Sequence, residues 1–218
     1  LTRKKLSEAL IKTIKINKMK TDVHLRIIVS RGIKSTPYQS PKVTISKPTI
    51  IIIPEYKKPD IKTYKKGLKL VTVKTIRGPI NVQNPQINSL SKLNCILACI
   101  EANKKNADEA LMFDINGNIA TNNSTHFFFV KNKTVFTSTG KYCVTGITRQ
   151  KIIDICKKNK IKVKEKNFKL NEVLNADEAF CTGSFAGIVP VNQINKKKYS
   201  LKKNPITKEL TNFYNNLF

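Results

Sequence analysis

Residues 108–138, DEALMFDINGNIATNNSTHFFFVKNKTVFTS, decide the fold class. DEALMFD (108–114) has the apolar density of a strand, and NGN (116–118) is turn chemistry between two strand patterns. HFFFV (126–130) reads as the strand that completes this hairpin, and KNK turns the chain again into TVFTS (134–138). Strands that follow one another through tight turns are not a βαβ series. Neither GxGxxG nor GxxxxGK[ST] occurs, so a Rossmann domain or a P-loop would lack its phosphate loop.

Working outward, LNCILACIEANKKN (93–106) reads as an apolar helix before these strands. After them, GITRQKIIDICKKNKI (146–161) reads as a helix with Thr148 as capping residue and an apolar stripe at Ile152, Ile153 and Cys156. IKVKEKNF is a strand alternating apolar and basic, LNEVLNA a short helix, and DEAFCTGSFAGIVPV (177–191) a strand running into a small-residue turn. Residues 206–218 close the sequence as an amphipathic helix. On the N-terminal side, Leu6, Leu10 and Ile14 give 2–18 helical periodicity, and 23–32 and 48–56 read as strands. KKPDIKTYKKG (57–67) is polar and broken by proline, and LKLVTVKTI (68–76) alternates as a strand. The expected class is α+β, with a partial small α/β domain at 1–56, a linker at 57–67 and a large domain at 68–218.

Forty-one basic residues against fourteen acidic ones give 218 residues a formal charge of +27. Only five of the basic residues are arginine (Arg3, Arg26, Arg31, Arg77, Arg149), the side chain suited to bidentate phosphate contact. The lysines are spread evenly among many Asn and Ile, which points to compositional bias rather than to a nucleic-acid partner. No apolar run approaches the roughly 20 residues of a membrane span, and no signal peptide is recognised, so the cytoplasm is expected. The sequence begins at Leu1 in what reads as mid-protein helix, so an incomplete or processed chain is expected. Five scattered cysteines and two histidines, without CxxC, give no zinc spacing, and no metal is expected.

Three stretches carry more chemistry than a core requires. Lys92 stands just before the 93–106 helix. GITR (146–149) offers successive N–H groups at a helix N-terminus, a ready anion site. CTGSFAG (181–187) places glycine and small hydroxyls at a strand end, where a phosphate can approach closely. One lysine with two phosphate-cradling segments is the equipment of a pyridoxal phosphate enzyme.

Together, ADEALMFDINGNIATNNSTHFFFVKNKTVFTSTGKYCVTGITRQKIIDIC and ADEAFCTGSFAGIVPV resemble the class IV aminotransferases, the fold-type IV pyridoxal phosphate group. That resemblance implies a branched-chain-like aminotransferase moving an amino group between an amino acid and a 2-oxo acid, and a homodimer. Its alternatives are a lyase of the aminodeoxychorismate type and a non-catalytic relative. By resemblance, Lys92 is the catalytic lysine that carries the cofactor. Ile147 and Thr148 are phosphate donors, Gly183 and Ser184 lie on the phosphate side, and Arg26 and His24 line the substrate pocket. Two departures stand out. Lys92 precedes Asn94 by two residues, where the family's lysine precedes its asparagine by three or four. Thr121 occupies the place of the glutamate that keeps the pyridine nitrogen protonated, and His126 stands where the family usually has asparagine.

Overall fold

The structure, a computed structural model, describes residues 2–217. Two compact units divide at Pro59/Asp60. In the first, α1 (Arg3–Ile16) starts where the Thr2 hydroxyl accepts the Lys5 N–H, and β1 (Val23–Val29) pairs antiparallel with β2 (Ile50–Tyr56). Strand β1 therefore ends short of the expected residue 32.

The second unit runs α2 (Ile61–Lys66), β3 (Leu68–Thr72), α3 (Leu93–Lys104), β4 (Glu109–Phe113), β5 (Ile119–Asn122), β6 (His126–Lys131) and β7 (Thr134–Thr137). It continues with α4 (Ile147–Lys158), β8 (Val163–Glu165), α5 (Leu170–Leu174), β9 (Glu178–Gly183), β10 (Gly187–Ile194), β11 (Lys197–Lys198) and α6 (Pro205–Asn215). One mixed sheet has the order β5-β4-β3-β10-β9-β6-β7-β8, with β11 paired to β10. No helix among the described residues is long and apolar enough to cross a membrane.

The segment expected as a linker carries α2, started by Asp60 accepting the Lys62 N–H at 2.8 Å and ended at Gly67, whose φ is +74°. The side chain of Asn192 on β10 donates to the Lys66 carbonyl at 2.8 Å, so this helix is held to the sheet. Strand β3 stops at Thr72, not at 76. The Glu101 carboxylate on α3 accepts the N–H groups of Lys74 and Thr75 at 2.7 and 2.9 Å, drawing the backbone out of the sheet.

The hairpin needs a correction. Across the NGN turn, β4 pairs with β5, Leu111 opposite Asn122, and not with HFFFV. Asp114 Oδ1 closes the turn by accepting the N–H groups of Asn116 and Asn118 at 2.8 and 2.9 Å. The chain then turns again at 123–125, and HFFFV, as β6, pairs with β7 and β9 in the other half of the sheet.

Burial on both faces explains the unbroken phenylalanine run, because successive side chains of a strand point to opposite faces. Phe127 and Phe129 join Leu70, Leu111, Ile119 and Phe168 in one core. Phe128 and Val130 join Phe180, Leu210 and the α4 stripe Ile152, Ile153 and Cys156 in a second. Phe128 stacks on its cross-strand partner Phe180 at 5.0 Å between ring centroids. Helix α3, apolar in sequence, nevertheless buries only Ala98 and Ala102 and leaves Leu93, Ile96, Leu97 and Ile100 exposed.

Candidate active site

Within the second unit, the start of α3, the turn after β5, the start of β6, the N-terminus of α4 and the end of β9 surround a cleft of about 830 Å³. Six residues singled out in the sequence line it together: Lys92, Thr121, Ile147, Thr148, Gly183 and Ser184. Arg26 and His24 lie on β1 in the first unit, where His24 Nδ1 stands 3.0 Å from Glu55 Oε1.

Helix α4 enters the cleft with its N-terminal donors uncovered. Gly146 is the N-cap and no side chain caps the helix, so Thr148 is not the capping residue the sequence suggests. The cap is glycine for want of room. A Cβ at 146 would lie 2.3 Å from His126 Cε1. The imidazole is fixed by Nε2 donating to the Val144 carbonyl at 2.7 Å, which leaves Nδ1 as an acceptor. Burial pushes its pKa down, the Val144 hydrogen bond partly opposes this, and the Arg149 and Arg77 charges add to the fall. Arg149 ties the first turn of α4 to the Ser138 carbonyl at 2.6 Å and to Glu165 at 2.7 Å.

Thr182, which also lines the cleft, is buried beside Gly183, and its hydroxyl has no partner among the described residues. A buried hydroxyl left unpaired costs free energy, so it is a natural contact for a bound oxyanion. The Gly183–Ser184 turn is steadied from α2, where the Tyr64 hydroxyl donates to the Ala186 carbonyl at 2.7 Å.

At the cleft's rim, Lys92 is the N-cap of α3 and only partly buried, its Nζ donating to Asn88 Oδ1 at 2.7 Å. The lysine singled out in the sequence is thus a rim lysine already engaged. Thr121 donates its hydroxyl proton to the Thr125 carbonyl at 3.0 Å.

Two groups escaped the sequence reading. Arg77 lines the cleft, with Nη1 on Cys95 Sγ at 3.2 Å, Nη2 on the Asn122 carbonyl at 3.3 Å and a buried Nε without a partner among the described residues. Glu109 is buried behind the 123–125 turn, accepting from the hydroxyls of Ser124 and Thr125, the latter at 2.6 Å. Burial raises its pKa, and these hydroxyls only partly offset the rise. The rarity of arginine was the one available signal: of five, Arg77 and Arg149 alone are not exposed.

The family model for amino-transferase class IV matches residues 1–194. The chain belongs to the class IV aminotransferase family. A curated member, branched-chain-amino-acid aminotransferase-like protein 2 of Arabidopsis thaliana, is 34% identical over 217 residues, 99% of this chain and 39% of that protein. The branched-chain-amino-acid aminotransferase of Pseudomonas aeruginosa is 31% identical over 152 residues, 69% of this chain and 50% of its own length. The chain thus spans about two-fifths of the length of the first relative and half of the second. Among solved class IV structures, the branched-chain aminotransferase of Thermoproteus uzoniensis with norvaline superposes with a TM-score of 0.89 at 26% identity, covering all of this chain and 71% of that one. The α+β fold is therefore that of the family's branched-chain enzymes.

Proposed function

We propose that the cleft binds pyridoxal 5'-phosphate and that the protein transfers an amino group between a branched-chain-like amino acid and a 2-oxo acid. The observation that carries this reading is the cleft wall: the uncapped start of α4 and Thr182, whose buried hydroxyl is unpaired among the described residues, both line it, with no Asp or Glu among the lining residues. A phosphate fits it, since helix N–H groups and the macrodipole favour an anion there.

Ile147 and Thr148 donate their N–H groups to the phosphate, and Thr148, Thr182 and Ser184 add hydroxyls. Gly183 leaves room for close approach. Thr121, by the resemblance, would stand beside the cofactor ring. The bound cofactor supplies an electron sink for the substrate's α-carbon. Lys92, on leaving Asn88, would hold the cofactor and, once freed by the incoming amine, would move the proton at the α-carbon. Arg26 and His24, on β1 of the first unit, are assigned to substrate binding by the family resemblance alone. The names and folds of the relatives support the branched-chain assignment.

The exposed α3 stripe at positions 93, 96, 97 and 100, one helical face, supports a homodimer. We assign the protein to the cytoplasm, without membrane or nucleic-acid partners.

The test is the visible spectrum with pyridoxal 5'-phosphate before and after borohydride, followed by peptide mapping. The reading expects a yellow band abolished by reduction and a pyridoxyl mass on Lys92. Absence of any spectral change on adding cofactor would refute it. The hydrogen bond from Lys92 to Asn88 favours a second reading, a relative that binds the cofactor without attaching it, and this would give binding without a reducible band.

A further inference from the structure

The cleft's ionisable lining consists of Arg77, Lys92, His126, Cys95, Cys99 and Cys143, and includes no Asp or Glu. The neighbouring carboxylate, Glu109, is turned away, both oxygens accepting from the hydroxyls of the 123–125 turn. Thr121 offers no mobile proton either, because its hydroxyl is committed to the Thr125 carbonyl. What the inner wall does present is a guanidinium with donor capacity to spare. Arg77 spends one N–H on a thiol sulfur, a weak acceptor, and another on a carbonyl at 3.3 Å, and its buried Nε has none.

A protonated pyridine is stabilised by a nearby anion and destabilised by nearby cations. A neutral pyridine nitrogen is an acceptor and calls for a donor. With Thr121 beside the ring nitrogen, where the family resemblance has a glutamate, this cleft supplies cations and donors and no anionic side chain. We infer that the cleft holds the pyridine nitrogen of its cofactor unprotonated at neutral pH. This rests on the cofactor reading above and goes beyond it, because it fixes the electronic state of the ring. An unprotonated ring withdraws electrons less strongly, so a reaction with a smaller demand for carbanion stabilisation gains relative to transamination.

The test uses pyridoxamine 5'-phosphate enriched with ¹⁵N at the ring nitrogen, a probe that needs no attachment to Lys92. The ¹⁵N resonance is recorded on the full chain across neutral pH, and again on Thr121→Glu. The expected result is the chemical shift of neutral pyridine in the wild-type complex, moving to that of pyridinium in T121E. A pyridinium shift in the wild-type complex at neutral pH overturns the inference. A T121E complex that stays neutral overturns its physical basis, since the missing carboxylate would not be the cause. Failure of the wild-type chain to bind the probe overturns the cofactor reading, and the inference falls with it.

Discussion

At the scale of single residues the site is governed by which polar groups are left over. Glu109 is the informative case, because a buried carboxylate with a raised pKa binds a proton more tightly folded than unfolded. Stability linked to it is fully present below the unfolded value, near 4.5, and falls as pH rises toward the folded value. Glu109→Gln cannot ionise, so its stability relative to wild type should climb through that window and then level off. The climb should be no steeper than about 1.4 kcal/mol per pH unit, the value of one proton. Urea unfolding at a series of pH values measures it; a difference that is flat with pH would mean that Glu109 is not buried as a titrating group. Glu109 left no signal in the sequence, and Arg77 none beyond the rarity of arginine. Their roles come from a meeting between the chain after β3, the start of β4 and the 123–125 turn, and no local spacing reports such a meeting. That Ile147, Thr148, Gly183 and Ser184 share one cleft wall was legible from two short motifs, and Thr121 joined them through the family resemblance.

At the scale of elements, α4 shows how a backbone feature can be tested through a side chain. Ile147 is the first helical residue and its side chain is 75% exposed, so only its N–H serves the proposed cradle. Proline is tolerated at this position, and Gly146, at φ −77° and ψ 129°, already has the extended backbone that a following proline requires. Ile147→Pro therefore deletes one donor and leaves the helix intact. A hydrogen bond to a charged group is worth about 1.5–3 kcal/mol, so affinity for pyridoxal 5'-phosphate should fall by roughly tenfold or more. The melting temperature should stay within a few degrees of wild type, and Ile147→Ala should change neither quantity. Unaltered cofactor affinity in I147P would remove the α4 N-terminus from the site. Most helices and strands were readable from periodicity, α2 in the expected linker being an exception, yet the pairing of HFFFV was not. A period-two pattern declares a strand and which of its residues share a face, but the partner is set by the topology of the sheet. Because β6 is buried on both faces, it could not show in sequence that β9, from fifty residues later, lies beside it.

At the scale of the whole molecule, the charge of +27 and the apolar stripe on α3 pull self-association in opposite directions. Two chains with so much like charge repel, whereas burying Leu93, Ile96, Leu97 and Ile100 draws them together. Salt acts on the first term far more than on the second. The Debye length shrinks from about 30 Å at 0.01 M to about 3 Å at 1 M, which screens the repulsion and leaves apolar burial in place. The proposed homodimer should therefore tighten as ionic strength rises, and sedimentation equilibrium across that range should show a falling dissociation constant. A lysine on the stripe, Leu97→Lys, should shift the equilibrium to monomer at every salt concentration, because it sets a charge in the surface to be buried. Binding to a nucleic acid has the reverse dependence, since salt removes the gain from releasing counterions. A protein that is monomeric throughout, or whose self-association weakens with salt, would show that α3 is not the dimer contact. Strengthening retention on a polyanion column as salt falls, with no dimer at any ionic strength, would return the lysines to a nucleic-acid role and would deprive the compositional explanation of its footing.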